Sequence, residues 1–166
     1  MKMDFDAVVR RRRSIRNFKK KKVDFRILMD AVDSALQGPY TGNHNHLKFL
    51  IVEDAAKIAD LAEHAEQDWI STAPALIVVC SDDTHLENLY GLRCRVYSRQ
   101  TAGAAIYSLM LKLADYGIGS CWVGAYSDSD VKKVLKIAKD VQVEAIVPVG
   151  FADEKVKKKE KKNYVI

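Results

Sequence analysis

The sequence predicts an α+β protein, with helices packed on a mostly antiparallel central sheet. Three observations carry that expectation. Three short apolar runs, 48–52, 75–80 and 143–149, have strand length and are bounded by polar or turn residues. Helical and strand segments do not alternate strictly, as a doubly wound parallel sheet would require. No GxGxxG or GxxxxGK follows any of the strands, so neither a Rossmann nor a P-loop architecture has support.

Residues 4–12 read as a first helix. Asp4 can cap it, and Phe5, Val8 and Val9 supply an apolar face at helical spacing. Arg10–Arg13 close it, where cations complement the helix dipole. Residues 14–22 read as a polar connection. Asp24 caps a second helix through about Leu36, with Ile27, Leu28, Ala31, Val32 and Ala35 on one stripe, stopped by Gly38-Pro39. A loop over 38–46, dense in hydrogen-bonding side chains, leads into the first strand.

Residues 54–70 read as one helix ending near Trp69, and Pro74 opens the second strand. From about Val96 to Tyr116 runs a long helix, apolar over most of its circumference and so expected to be central and buried. Gly117 suits its C′ position. Cys121-Trp122-Val123 reads as a short extended segment. Asp128 or Ser129 caps a short helix through about Ala138, and the third strand follows. The chain ends on Asn163-Tyr164-Val165-Ile166, an apolar tetrapeptide expected to dock.

The 166 residues suit one domain, 1–166, and a hydrophobic fraction of 48% beside 30% charge is that of a globular protein. No apolar run reaches membrane-spanning length, and the N-terminus does not have the form of a signal peptide. Cys80, Cys94 and Cys121 are odd in number and widely spaced, which points to a reducing cytoplasm. Residues 1–26 hold eleven Lys/Arg against three acids, and residues 153–166 hold six against three. The net charge is only +5, so two basic ends flank an acidic body. Those ends carry no interleaved aromatics, so a nucleic-acid partner is not expected.

Four constellations carry chemistry, each with a plainer alternative. Arg12-Arg13-Ser14-Ile15-Arg16 offers planar bidentate donors and a hydroxyl suited to a phosphate dianion, or is a solvated basic helix end. Thr41, Asn43 and Asn45 of the 38–46 loop can read a heterocycle edge, or satisfy their own backbone. His44-x-His46 has no third ligand at matching spacing, so no metal is expected. Gly117-Ile118-Gly119-Ser120-Cys121-Trp122-Val123-Gly124 lets backbone approach a ligand, or simply stops a helix. Lysines 155–162 suit a solvated tail.

Taken in order, these segments resemble the nitroreductase family over nearly the whole chain. The residues that carry the likeness are RRRSIRNF, GPYTGNHNHLKFLIVED, Ala73-Pro74 before ALIVVCSDD, YGIGSCWVGAYSDSDVKKVL, and VEAIVPVGFADEK with its basic tail. The resemblance implies an FMN-binding homodimer with the flavin at the subunit interface and the C-terminal segment exchanged between subunits.

By that likeness Arg12, Arg13 and Ser14 hold the FMN phosphate, and Arg16 lies by the flavin N1/O2 edge. Pro39, Tyr40, Thr41 and Asn43 reach over from the partner subunit. Trp122, Val123 and Gly124 border the ring, with backbone donors near N5 and O4. Lys157 and Lys159 match the family's last basic pair. The implied activity passes electrons from NADH or NADPH through FMN to a small-molecule acceptor, nitroaromatic or quinone, in a ping-pong scheme, with no side chain as acid or base. Specialised members (reductive dehalogenation, flavin or corrinoid chemistry) and a non-catalytic flavin-binding dimer are the alternatives. Departures from the family pattern fall around the substrate face: Tyr40-Thr41, Asn45-His46-Leu47, Thr101 for an acid, and Tyr107-Ser108 for Gln-Asn.

Overall fold

A computed structural model describes residues 4–156. Among the described residues, six α-helices pack on a four-stranded sheet of order β1-β2-β4-β3: β1 is Leu47–Val52, β2 Ala75–Ser81, β3 Gly119–Ser120 and β4 Gln142–Gly150. These four strands pair antiparallel throughout. The expected α+β architecture is therefore the one observed.

Period-two alternation divides the central strand β2 between two cores. Ala75, Ile77 and Val79 face one side with α2 (Phe25–Leu36) and α5 (Cys94–Asp115). Leu76, Val78 and Cys80 face the other, with α3 (Ala55–His64) and α6 (Asp128–Leu135). Burial on both faces explains why β2 reads as an unbroken apolar run.

Local signals set most boundaries. The Asp24 carboxylate accepts the Arg26 N–H, and that of Asp54 accepts the Lys57 N–H. At the end of α5, Gly117 adopts φ +75°. Its N–H bonds Ala114 O while the Ile118 N–H bonds Leu113 O, a Schellman cap.

Five expectations are corrected. The helix expected over 54–70 ends at His64. Glu66 takes φ +52°, and a separate 3-10 turn, Asp68–Thr72, follows. A helix absent from the sequence reading, α4 (Thr84–Tyr90), precedes α5. The cap of α6 is Ser127, one residue ahead of Asp128. The connection after α1 (Phe5–Arg11) is not simply polar, because Ile15, Phe18 and Val23 are buried. It runs as an added extended segment, with bridges Ser14 to Ser120 and Phe18 to Ala152.

The long helix is not buried all round either. Val96, Gln100, Ala104 and Tyr107 lie exposed along one stripe of α5. Just before it, Leu92 is 83% exposed.

Candidate functional site

The segment 12–16 leaves α1 extended, so its side chains alternate. Ile15 points inward, and its N–H bonds Ser120 O at 3.0 Å. Arg12, Ser14 and Arg16 consequently share the opposite face. Beside them lie Ser120, which Ser14 bridges, the Cys121 thiol and two aromatic rings. The Arg12 guanidinium lies 5.9 Å from the Tyr107 ring centroid, and that of Arg16 5.9 Å from Trp69.

Cys121 sits behind this face. Burial pushes its thiol pKa up, against the pull of Arg16, the Ser14 hydroxyl and Arg12. The thiol therefore stays protonated near neutrality and is no nucleophile.

The Arg13 Nη1 donates to Arg12 O at 2.7 Å, and both arginines line a cavity of about 200 Å³ with Arg11, Gly117 and Gly119.

The segment after β3 is held by Val123, which donates to Ile146 O at 2.9 Å and accepts from Ile146 N–H at 3.1 Å. Its N–H is thus committed to the sheet. Gly124 is exposed, and the donor this pair can offer is the Gly124 N–H. Trp122 is 42% exposed and lies beside Gly103 of α5, where an added Cβ would come 3.9 Å from the indole.

The 39–43 loop packs on α5 rather than on the arginine segment. Thr41 Oγ1 lies 2.9 Å from Thr101 Oγ1 and 3.4 Å from Tyr97 O. Gly42 and Asn43 both take positive φ, +59° and +54°. Pro39, Tyr40 and Thr41 line a shallow cavity with Tyr97, Gln100 and Ala104, on the exposed stripe. Asn43 is exposed. Burial raises the Tyr40 phenol pKa, and its hydroxyl has no hydrogen-bond partner among the described residues. Lys157 and Lys159, with the segment expected to exchange between subunits, lie outside the described residues.

Two contributors were missed by sequence reasoning. Trp69 was read only as the end of a helix, and Glu154 not at all. Glu154 accepts hydrogen bonds from the backbone N–H of Arg16 and, at 3.0 Å, of Asn17. No local signal announces a partner 138 positions away. Among the described residues no cluster of three or more His, Cys, Asp or Glu is arranged to hold a metal.

Comparison with known proteins identifies a relationship that spans these elements. The model of the Nitroreductase family matches residues 9–85 and 64–151. An NADH dehydrogenase/NAD(P)H nitroreductase of Methanothermobacter thermautotrophicus is 25% identical over 158 residues, covering 92% of this chain and 80% of that one. A nitroreductase family protein from Clostridium novyi NT superposes with a TM-score of 0.84 at 26% identity, covering 92% and 87%. Oxidised iodotyrosine deiodinase with FMN and 3-iodo-L-tyrosine shares the fold with a TM-score of 0.82 at 21% identity, covering 98% and 97%.

Proposed function

As the chain belongs to the nitroreductase family, we propose that it is an FMN-dependent oxidoreductase acting as a homodimer, taking electrons from NADH or NADPH and passing them to an organic acceptor. The single observation that carries this reading is the grouping of Arg12, Ser14 and Arg16 around Cys121, at the start of the 121–124 segment.

That donor set fits a flavin mononucleotide. Two guanidiniums and a hydroxyl match a phosphate dianion and an electron-rich ring edge. Trp122 and Tyr107 add exposed aromatic surface against which a planar ring could stack. When bound, FMN supplies the two-electron chemistry. The protein's residues do the rest. Arg12 and Ser14 hold the phosphate. Arg16 supplies positive charge at the flavin N1/O2 edge, where reduction builds negative charge, and so raises the reduction potential. The Gly124 N–H orients the ring at N5 and O4. Donor and acceptor use the same open face in turn.

The dimer is inferred from the exposed stripe of α5. Val96, Ala104 and Tyr107, continued by Leu92, form apolar surface that a second copy would cover. The 39–43 loop borders that stripe, so it is poised to enter a partner's site rather than its own.

Purified protein is expected to show flavin absorbance, alone or after FMN is added, and to bleach with NADH or NADPH. Colourless protein that ignores FMN would overturn the reading. A panel containing a nitroaromatic, a quinone and a halotyrosine then identifies the acceptor class.

A further inference from the structure

The extended segment 14–19 is pinned from two directions. On one side Ile15 bonds β3 at Ser120. On the other, the stretch after β4 runs back along it. The Lys19 N–H bonds Phe151 O at 2.8 Å, Phe18 bridges Ala152, and the Asp153 N–H bonds Asn17 O at 2.9 Å. Glu154 ends this ladder with a side chain instead of a backbone carbonyl. One carboxylate oxygen, Oε1, takes both the Arg16 and Asn17 N–H groups.

We infer that Glu154 is a positioning residue for the cofactor cradle: its carboxylate fixes the path of Ser14–Asn17, so that Ser14 and Arg16 face Arg12. The inference rests on the FMN reading above. The physical argument is one of anchoring. A single carboxylate oxygen that accepts two successive N–H groups fixes the chain direction at Arg16 and Asn17. A carboxylate is the strongest neighbouring acceptor for two adjacent N–H groups, because charge-assisted hydrogen bonds are about twice as strong as neutral ones. The same carboxylate sets a negative charge beside Arg16 and so tempers its effect on the flavin.

The test compares Glu154→Ala and Glu154→Gln with the parent protein in three measurements. Glutamine keeps an oxygen acceptor without the charge. Amide exchange of apo protein is expected to speed up at Arg16 and Asn17 in the Ala variant and to recover in the Gln variant. FMN affinity, from quenching of free-flavin fluorescence, is expected to fall at least tenfold in E154A and to stay within threefold in E154Q. The flavin midpoint potential of E154Q is expected to become less negative. Wild-type affinity and potential in E154A would overturn the inference, as would a loss that Gln fails to restore. A parent protein that binds no FMN would instead remove the reading on which it rests.

Discussion

Gly119 of β3 packs so closely on Ile15 that a Cβ built there would stand 2.8 Å from Ile15 Cγ1 and 3.2 Å from Gly150 O. The arginine segment is thereby pressed flat against the sheet edge. Gly119→Ala is expected to destabilise the protein by about 1–3 kcal/mol, the usual cost of overpacking. Urea midpoints of the two proteins check this, and an unchanged midpoint would show that the contact yields freely.

Alternation along 12–16 separates two arginines that are neighbours in sequence. Arg12→Ala should weaken FMN binding about 10- to 100-fold, the range of one lost charge-assisted hydrogen bond. Arg13→Ala should change it less than threefold, because that guanidinium is already engaged with Arg12 O. Equal losses in a fluorescence titration would refute the assignment.

A second charged cluster lies at the opposite end of β2. Glu144 falls at the irregularity between β2 and β4, where the register shifts at Val79/Cys80. Its carboxylate accepts from Ser81 and pairs with Arg99, which also lies 3.2 Å from Asp83. Removing the cation strands two largely buried carboxylates. Because Arg99 is itself 41% exposed, solvent reduces the cost, and Arg99→Met is expected to lose about 2 kcal/mol in urea unfolding. A neutral result would mean the acids find other partners.

Alkaline stability should report the buried thiol of Cys80. Burial, with Glu144 and Asp128 adding to it, pushes its pKa from the ordinary thiol value near 9 up to about 12. The unfolded chain loses this proton first, so the folded state is favoured below pH 9 and loses that advantage as pH rises towards 12. Urea midpoints at pH 7, 9 and 10 should fall less steeply for Cys80→Ala than for the parent. Parallel curves would remove Cys80 from the account.

The exposed stripe of α5 makes a prediction about assembly. Ala104 is exposed, so Ala104→Arg should fold normally. Sedimentation equilibrium should give two copies for the parent and one for the variant, with loss of bound flavin. A monomeric parent would refute the dimer.

Much of this molecule was legible in its residue order. Apolar runs located β1, β2 and β4, Asp24 and Gly117 marked helix ends, and RRSIR with GIGSCWVG identified the family. Those signals act within a few residues, through hydrogen-bond reach and side-chain period. Tertiary structure decided what depends on register and on contacts between distant segments. It turned the Arg13 guanidinium onto Arg12 O and committed the Val123 N–H to Ile146. It brought Glu154 to Arg16 across 138 positions and Trp69 beneath the same guanidinium. No local propensity encodes these, because each arises only when the sheet edge and the stretch after β4 close on the N-terminal segment together.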